Sequence, residues 1–260
     1  MAEAIGVFDS GIGGLTVASA IQQALPNHRI IYFGDTLHLP YGDKSSKNIQ
    51  KYIKAISAFL YEMRCRHLVV ACNSASSVLS SVNSMPEFSS ITNVINPVVD
   101  KVAMNMGIKS VGIIGTKRTI HSKVYSNLLQ EKRSDLNIYE LATPLLAPMI
   151  EEGFVHNAIT EQVIHEYLQK LPKVDALILG CTHYPLIKTE INRFFDGKVQ
   201  LFDAPKLVAQ HVVNCVSERN TVRDSEDCFY VSDLTNSFEK TAQLFFGHSI
   251  HLRKSDLFEL

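Results

Sequence analysis

Short apolar runs alternate along the chain with longer stretches of helical period. The runs at 5–9, 30–34, 68–71, 92–95, 111–115, 138–141, 176–180 and 199–202, with two more at 229–232 and 249–252, are rich in β-branched residues and Leu. They show little polar alternation, which suits strands covered on both faces in a parallel sheet. The stretches between them are amphipathic. Over 46–63 the apolar Ile49, Ile53, Ile56, Leu60 and Met63 recur at three- and four-residue steps, with Ser45 or Ser46 available as the cap. Pro97 and Pro185 stand where first helical turns should begin. This alternation predicts an α/β fold with mainly parallel sheets.

The pattern also repeats. Val69-Val70-Ala71-Cys72-Asn73-Ser74 and Ile178-Leu179-Gly180-Cys181-Thr182-His183 share one design: an apolar strand, a small residue, Cys, then polar residues entering a helix. Earlier in each half, Ile5-Gly6-Val7-Phe8-Asp9-Ser10 is matched by Val111-Gly112-Ile113-Ile114-Gly115-Thr116 at nearly the same offset. Two pseudo-symmetric α/β halves, each with its own sheet, are expected.

Composition narrows the function classes. The 260 residues, 46% apolar and 20% charged, suit one large or two small globular domains and exclude disordered and fibrous architectures. Twenty-five basic against 26 acidic residues leave a net charge of −1, so a nucleic-acid role lacks its usual electrostatic driving force. No apolar run reaches the roughly 18 residues of a spanning helix. Residues 1–7 lack the basic-then-apolar order of a secretory signal. No membrane association is expected, and the chain reads as cytoplasmic. Five cysteines, an odd number without a CxxC pair, argue against a disulfide framework and against tetrahedral zinc.

In open parallel sheets, ligands gather beyond the carboxyl ends of the strands. Cys72 and Cys181 both fall there, each at or before an expected helix start, where backbone N–H groups favour a thiolate. A lone cysteine in that place is more often apolar filler, but two in matching polar contexts point to chemistry. Cys65, Cys215 and Cys228 have no such setting and read as packing or surface residues. Asp9-Ser10-Gly11-Ile12-Gly13-Gly14 closes the first strand with a glycine turn. It is not a dinucleotide fingerprint, because Thr16 stands where the last glycine would be. The turn can offer N–H groups to an anion such as a carboxylate, while Asp9 could equally cap the turn. Asp35 is similarly ambiguous, and Pro40-Tyr41-Gly42 is a rigid aromatic turn. His183 can hold charge near neutrality and polarise the Cys181 thiol. Glu151 and Glu152 could contribute chemistry, or simply form the solvated end of a helix closed by Gly153.

Together these residues resemble the bacterial glutamate racemases of the aspartate/glutamate racemase superfamily. The matching blocks are 6–15, Tyr32-Phe33-Gly34-Asp35-Thr36, Pro40-Tyr41-Gly42, Ala71-Cys72-Asn73-Ser74-Ala75-Ser76, Met149-Ile150-Glu151-Glu152-Gly153 and Gly180-Cys181-Thr182-His183-Tyr184-Pro185-Leu186. The two cysteine blocks are the specific ones. Two departures stand out: Ser74 replaces the usual Thr, and Leu37-His38-Leu39 replaces a stretch that is commonly Ala-Arg-Val.

The resemblance implies a cofactor-independent enzyme, without metal or pyridoxal, that interconverts L- and D-glutamate and supplies D-glutamate for peptidoglycan. It implies two domains, 1–96 with 206–260 and 97–205, facing each other across the site, usually in a homodimer. Carried over by position, Cys72 and Cys181 are the acid/base pair, serving the D- and L-enantiomers respectively. Asp9, Glu151 and His183 assist proton transfer. Asp9, Ser10, Tyr41, Gly42, Asn73, Ser74, Thr182 and His183 line the substrate. Aspartate or hydantoin racemases of the same superfamily would use a similar pair in a different cleft. A single-cysteine hydrolase with His183 as base and a non-enzymatic amino-acid-binding protein are the rivals from other classes.

Overall fold

The structure is a computed structural model that describes residues 4–216 and 226–259. Residues 1–3, 217–225 and 260, parts of the first expected domain, lie outside the described residues, as does the start of the 1–7 stretch read for a signal. Among the described residues, ten strands form two parallel sheets: β1 (Ala4–Asp9), β2 (Ile30–Gly34), β3 (Cys65–Val70), β4 (Ser90–Asn93), β5 (Ser110–Gly115), β6 (Asn137–Ala142), β7 (Ala176–Gly180), β8 (Gln200–Phe202), β9 (Cys228–Val231) and β10 (Leu252–Lys254). The first sheet runs β10-β9-β2-β1-β3-β4 and the second β6-β5-β7-β8. The expected α/β fold with two pseudo-symmetric halves is therefore observed. The order 2-1-3-4 in the first sheet recurs as 6-5-7-8 in the second, and the chain's last two strands extend the first sheet on its β2 edge.

The central strands are covered on both faces, as their unbroken apolar runs require. Every residue of β1, β2 and β7 is buried, and each fully buried Val, Ile or Phe contributes roughly 1.5–3 kcal/mol relative to exposure. The helix Ser46–Glu62 packs the predicted stripe inward: Ile49, Ile53, Ile56 and Leu60 are all buried, and the Ser45 hydroxyl accepts from the Asn48 N–H at 3.2 Å. Helix Leu15–Ala24 lies between helices Ala204–Cys215 and Asn236–Phe246, joining the chain's beginning to its end. No helix among the described residues is long and apolar enough to cross a membrane.

Two local expectations need correction. The last strand is Leu252–Lys254 instead of 249–252, because parallel pairing sets Leu252 opposite Phe229 and leaves Arg253 and Lys254 on an exposed edge. Charged residues there blunt further strand pairing. Pro97 does open an α-helix, Asn96–Ala103. Pro185 instead sits in the 3₁₀ turn Tyr184–Ile187, and the α-helix begins only at Lys188.

Candidate active site

In a 2-1-3 strand order the chain leaves the central strand in both directions, so a crevice opens beyond the carboxyl ends of the central strand and the strand that reverses direction. Each sheet has such a crevice, between β1 and β3 and between β5 and β7, and both border the same pocket. Ser10 comes from the turn after β1, Cys72, Asn73 and Ser74 from that after β3, Thr116 from that after β5, and Cys181, Thr182 and His183 from that after β7. The flanking loops add Leu39, Pro40, Tyr41 and Gly42 after β2 and Ala147, Pro148 and Glu151 after β6. The space between these residues, counted out into the solvent at its mouth, is about 460 Å³.

All but one of the residues assigned to the substrate or to proton transfer line this pocket, whereas the further candidates Asp35 and Glu152 do not. The exception is Asp9, which is wholly buried behind it. Its Oδ2 accepts from the Gly11 N–H at 3.0 Å, so the carboxylate caps the glycine turn and occupies one of the N–H groups expected to face an anion. Burial raises the Asp9 carboxyl above its ordinary value, against the opposing pull of His183 and of the N–H groups of Gly14, Gly11 and Ser10. Thr116, by contrast, was not anticipated. The internal repeat carried the signal, since it aligns Thr116 with Ser10.

The two thiols have different surroundings. Cys72 caps the single helical turn Asn73–Ser76, and its Sγ lies 3.4 Å from Ser10 Oγ. Burial pushes this thiol up to about 12, and the nearby Asp9 adds to the rise, outweighing the Ser10 hydroxyl and the N–H groups of Ala75 and Ser10. The expected thiolate-favouring helix start is thus overridden: one short turn offers a small dipole, and loss of water disfavours the anion more strongly.

Cys181 Sγ lies 3.5 Å from His183 Nδ1, and His183 Nε2 lies 2.8 Å from Glu151 Oε1. Burial alone lowers the basicity of His183, but Cys181 and Glu151 outweigh it and hold the imidazole well above its ordinary range. Glu151 ends the helix Leu146–Glu151, closed by Gly153 at φ +83°, and turns inward while Glu152 faces out. Glu151 thus faces the pocket, and Glu152 forms the solvated end of the helix. Gly13 makes the close packing possible: a Cβ there would stand 2.4 Å from the His183 ring and 2.7 Å from Thr182 Oγ1.

Polar side chains complete the walls. Tyr125 donates to Asn73 Oδ1 at 2.7 Å, which leaves the Asn73 amide nitrogen without a partner at the pocket. Ser74 Oγ and Thr116 Oγ1 share a hydrogen bond of 2.9 Å between the two halves. Hydroxyls and an amide N–H, with no Lys or Arg among the lining, suit a ligand held through its carboxylates largely by neutral donors.

Two parallel sheets, each with a cysteine just beyond the carboxyl end of a corresponding strand, define a recognisable class. A profile of the Asp/Glu/hydantoin racemase family matches residues 14–212, and the chain belongs to that family. Within it, the chain aligns almost end to end with glutamate racemases. It is 38% identical over 248 residues to that of Aquifex aeolicus, covering 95% of each chain, and 37% identical over 257 residues to that of Persephonella marina, covering 97% of each. The crystal structure of Francisella tularensis glutamate racemase in complex with D-glutamate superposes with a TM-score of 0.88 at 34% identity, over 99% of both chains. Picrophilus torridus aspartate racemase shares the fold, at a TM-score of 0.59 and 17% identity.

Proposed function

We propose that this chain is a cofactor-independent glutamate racemase that interconverts L- and D-glutamate with Cys72 and Cys181 as a paired acid and base. One observation carries the reading: the two cysteines follow corresponding strands of two sheets and border one small pocket. Inverting a carbon centre requires a group on each face of Cα, one to remove a proton and one to return it. In the direction from L-glutamate, the Cys181 thiolate takes the Cα proton while the Cys72 thiol delivers its own to the opposite face. The enzyme then holds Cys181 as thiol and Cys72 as thiolate, ready for the reverse reaction.

The electrostatics support this division of labour. Cys72 is held protonated by burial. The His183 imidazolium, backed by Glu151, stands beside Cys181 and stabilises its anion. Ser10, Asn73, Ser74, Thr182 and the Tyr41–Gly42 turn bind the substrate carboxylates, and Asp9 assists from beneath. The negative charge that develops at Cα is stabilised by fixed donors in a closed pocket and by the substrate's own ammonium. Because the thiols carry both proton transfers, neither a metal nor pyridoxal is needed.

The same reading assigns residues 1–96 with 206–260 to one domain and 97–205 to the other, and takes the enzyme as a cytoplasmic homodimer that supplies D-glutamate for peptidoglycan and hence for cell shape. Incubation with D-glutamate and, separately, D-aspartate in deuterated water tests the substrate. Glutamate should lose its Cα proton and racemise. Exchange of aspartate with glutamate untouched would refute the assignment, and binding of glutamate without exchange would make the protein a binder only.

A further inference from the structure

Asp35 ends the β2 segment with a wholly buried carboxylate that three side chains meet. Tyr41 Oη donates to Oδ2 at 2.6 Å, Ser232 Oγ donates to Oδ1 at 2.7 Å, and His38 Nδ1 reaches both oxygens at 2.8 and 3.0 Å. His38 belongs to the 37–39 stretch in which this sequence departs from its family. Its ring stacks on Tyr52, with centroids 4.1 Å and planes 19° apart, and Phe258 from the C-terminal segment meets it edge-on at 4.7 Å. Tyr41, only 1% exposed, forms part of the pocket wall, yet its hydroxyl is committed to Asp35.

We infer that His38 is a positioning residue: clamped between Tyr52 and Phe258, it donates to Asp35 and so fixes the carboxylate that holds the Tyr41 hydroxyl and the Tyr41–Gly42 wall of the pocket. The inference rests on the reading of this pocket as a glutamate site. A buried carboxylate is tolerable only when donors satisfy it. Here the donors come from three places: the β2–Tyr41 loop, Tyr41 itself and the end of β9. His38 is the member whose orientation is set by aromatic packing instead of by the backbone. Without its N–H each carboxylate oxygen keeps a single donor, from Tyr41 or Ser232, so the carboxylate is less firmly oriented, the Tyr41 phenol loses a fixed acceptor, and the wall shifts. A misplacement of about 1 Å at a substrate contact can cost on the order of 100-fold. Because the Tyr41 wall binds substrate and does not move the proton, the loss falls on KM more than on kcat.

Two substitutions separate the donor from the ring. His38→Phe keeps an aromatic ring between Tyr52 and Phe258 without a donor, whereas His38→Asn keeps a donor near the Nδ1 position without the ring. Crystal structures and racemisation kinetics of both are compared with wild type and with Tyr41→Phe. In His38→Phe, Tyr41 Oη should leave hydrogen-bond reach of Asp35, and KM for D-glutamate should rise about tenfold, a coupling of about 1.4 kcal/mol. His38→Asn should keep the Tyr41–Asp35 bond and a KM within about threefold of wild type. The double variant His38→Phe/Tyr41→Phe should lose no more than the worse single one, because both act through one hydroxyl. If His38→Phe does not fold, His38→Gln, whose amide places its donor at the Nε2 position, should behave as predicted for it.

An undisturbed Tyr41–Asp35 bond in the donor-free variant, multiplying losses in the double variant, or an equal loss in His38→Asn would overturn the inference. Should wild type fail to racemise glutamate, the reading of the pocket fails instead, and the crystal structures still decide whether His38 positions Tyr41.

Discussion

In the ligand-free enzyme, burial and Asp9 push the Cys72 thiol up to about 12. Burial does the same to Cys65, also up to about 12, although Cys65 packs beneath Gly6 and takes no part in the pocket. The consequence for stability has a definite sign. Below about pH 9 both thiols are protonated in the folded and unfolded chains alike. Between about 9 and 12 the unfolded thiols ionise while the buried ones do not, so each costs up to about 1.4 kcal/mol per pH unit. The urea midpoint should therefore fall across that window, and less steeply in Cys65→Ala than in wild type; parallel curves would contradict the burial argument. His183 shifts stability in the same sense, at lower pH. Its raised value means that the imidazolium's contribution is complete below about pH 6.5 and is lost as pH rises through the folded-state value. Glu151→Gln removes a charge that supports the imidazolium. The alkaline limb of the L-to-D pH–rate profile should move to lower pH, with about a tenfold loss of rate on that limb. An unmoved limb would show that Glu151 does not act through His183.

At the scale of elements, glycine turns and short helical caps hold the chemistry. Gly13→Ala would drive a Cβ into the His183 ring and Thr182. That ring is pinned by Glu151 and packed edge-on against Phe245 at 5.1 Å, so it has little room to yield. The variant should lose about 1–3 kcal/mol of stability and most of its racemase rate, measured by urea denaturation and by polarimetry; a wild-type rate would mean the turn can relax. The strands, the 46–63 stripe and the cysteine turns were legible in the sequence because apolar periodicity and local motifs encode them directly. The edge strand was displaced because its place depends on pairing with Phe229, a partner in another segment. Asp9 was left between two readings for a related reason: residue type and position show that a carboxylate ends β1, but not whether it turns to the pocket or to Gly11.

Across the whole molecule, the two halves are tied at the pocket mouth. Arg118, on the helix Lys117–His121 that follows β5, donates to the Lys44 carbonyl through Nε at 3.1 Å and Nη2 at 2.6 Å, and reaches Ser46 Oγ at 3.3 Å. It thereby anchors the chain just beyond the turn Tyr41–Asp43. Deeper in, Thr16 Oγ1 donates to the Thr182 carbonyl at 3.1 Å. Arg118→Ala should raise KM for glutamate about tenfold with a smaller change in kcat, because it loosens the fit between halves without touching the thiols; a change confined to kcat would contradict this. Such ties were illegible beforehand, since they join segments from 72 to 166 positions apart. The pairing of the two halves was legible, through the repeat that aligns Cys72 with Cys181.

That pairing is tested most directly by following racemisation from each enantiomer in Cys72→Ala and in Cys181→Ala, each first shown to be folded by circular dichroism. The account predicts that either variant alone abolishes inversion in both directions, since one face of Cα then lacks its proton carrier. Racemisation at the wild-type rate in either variant would contradict it.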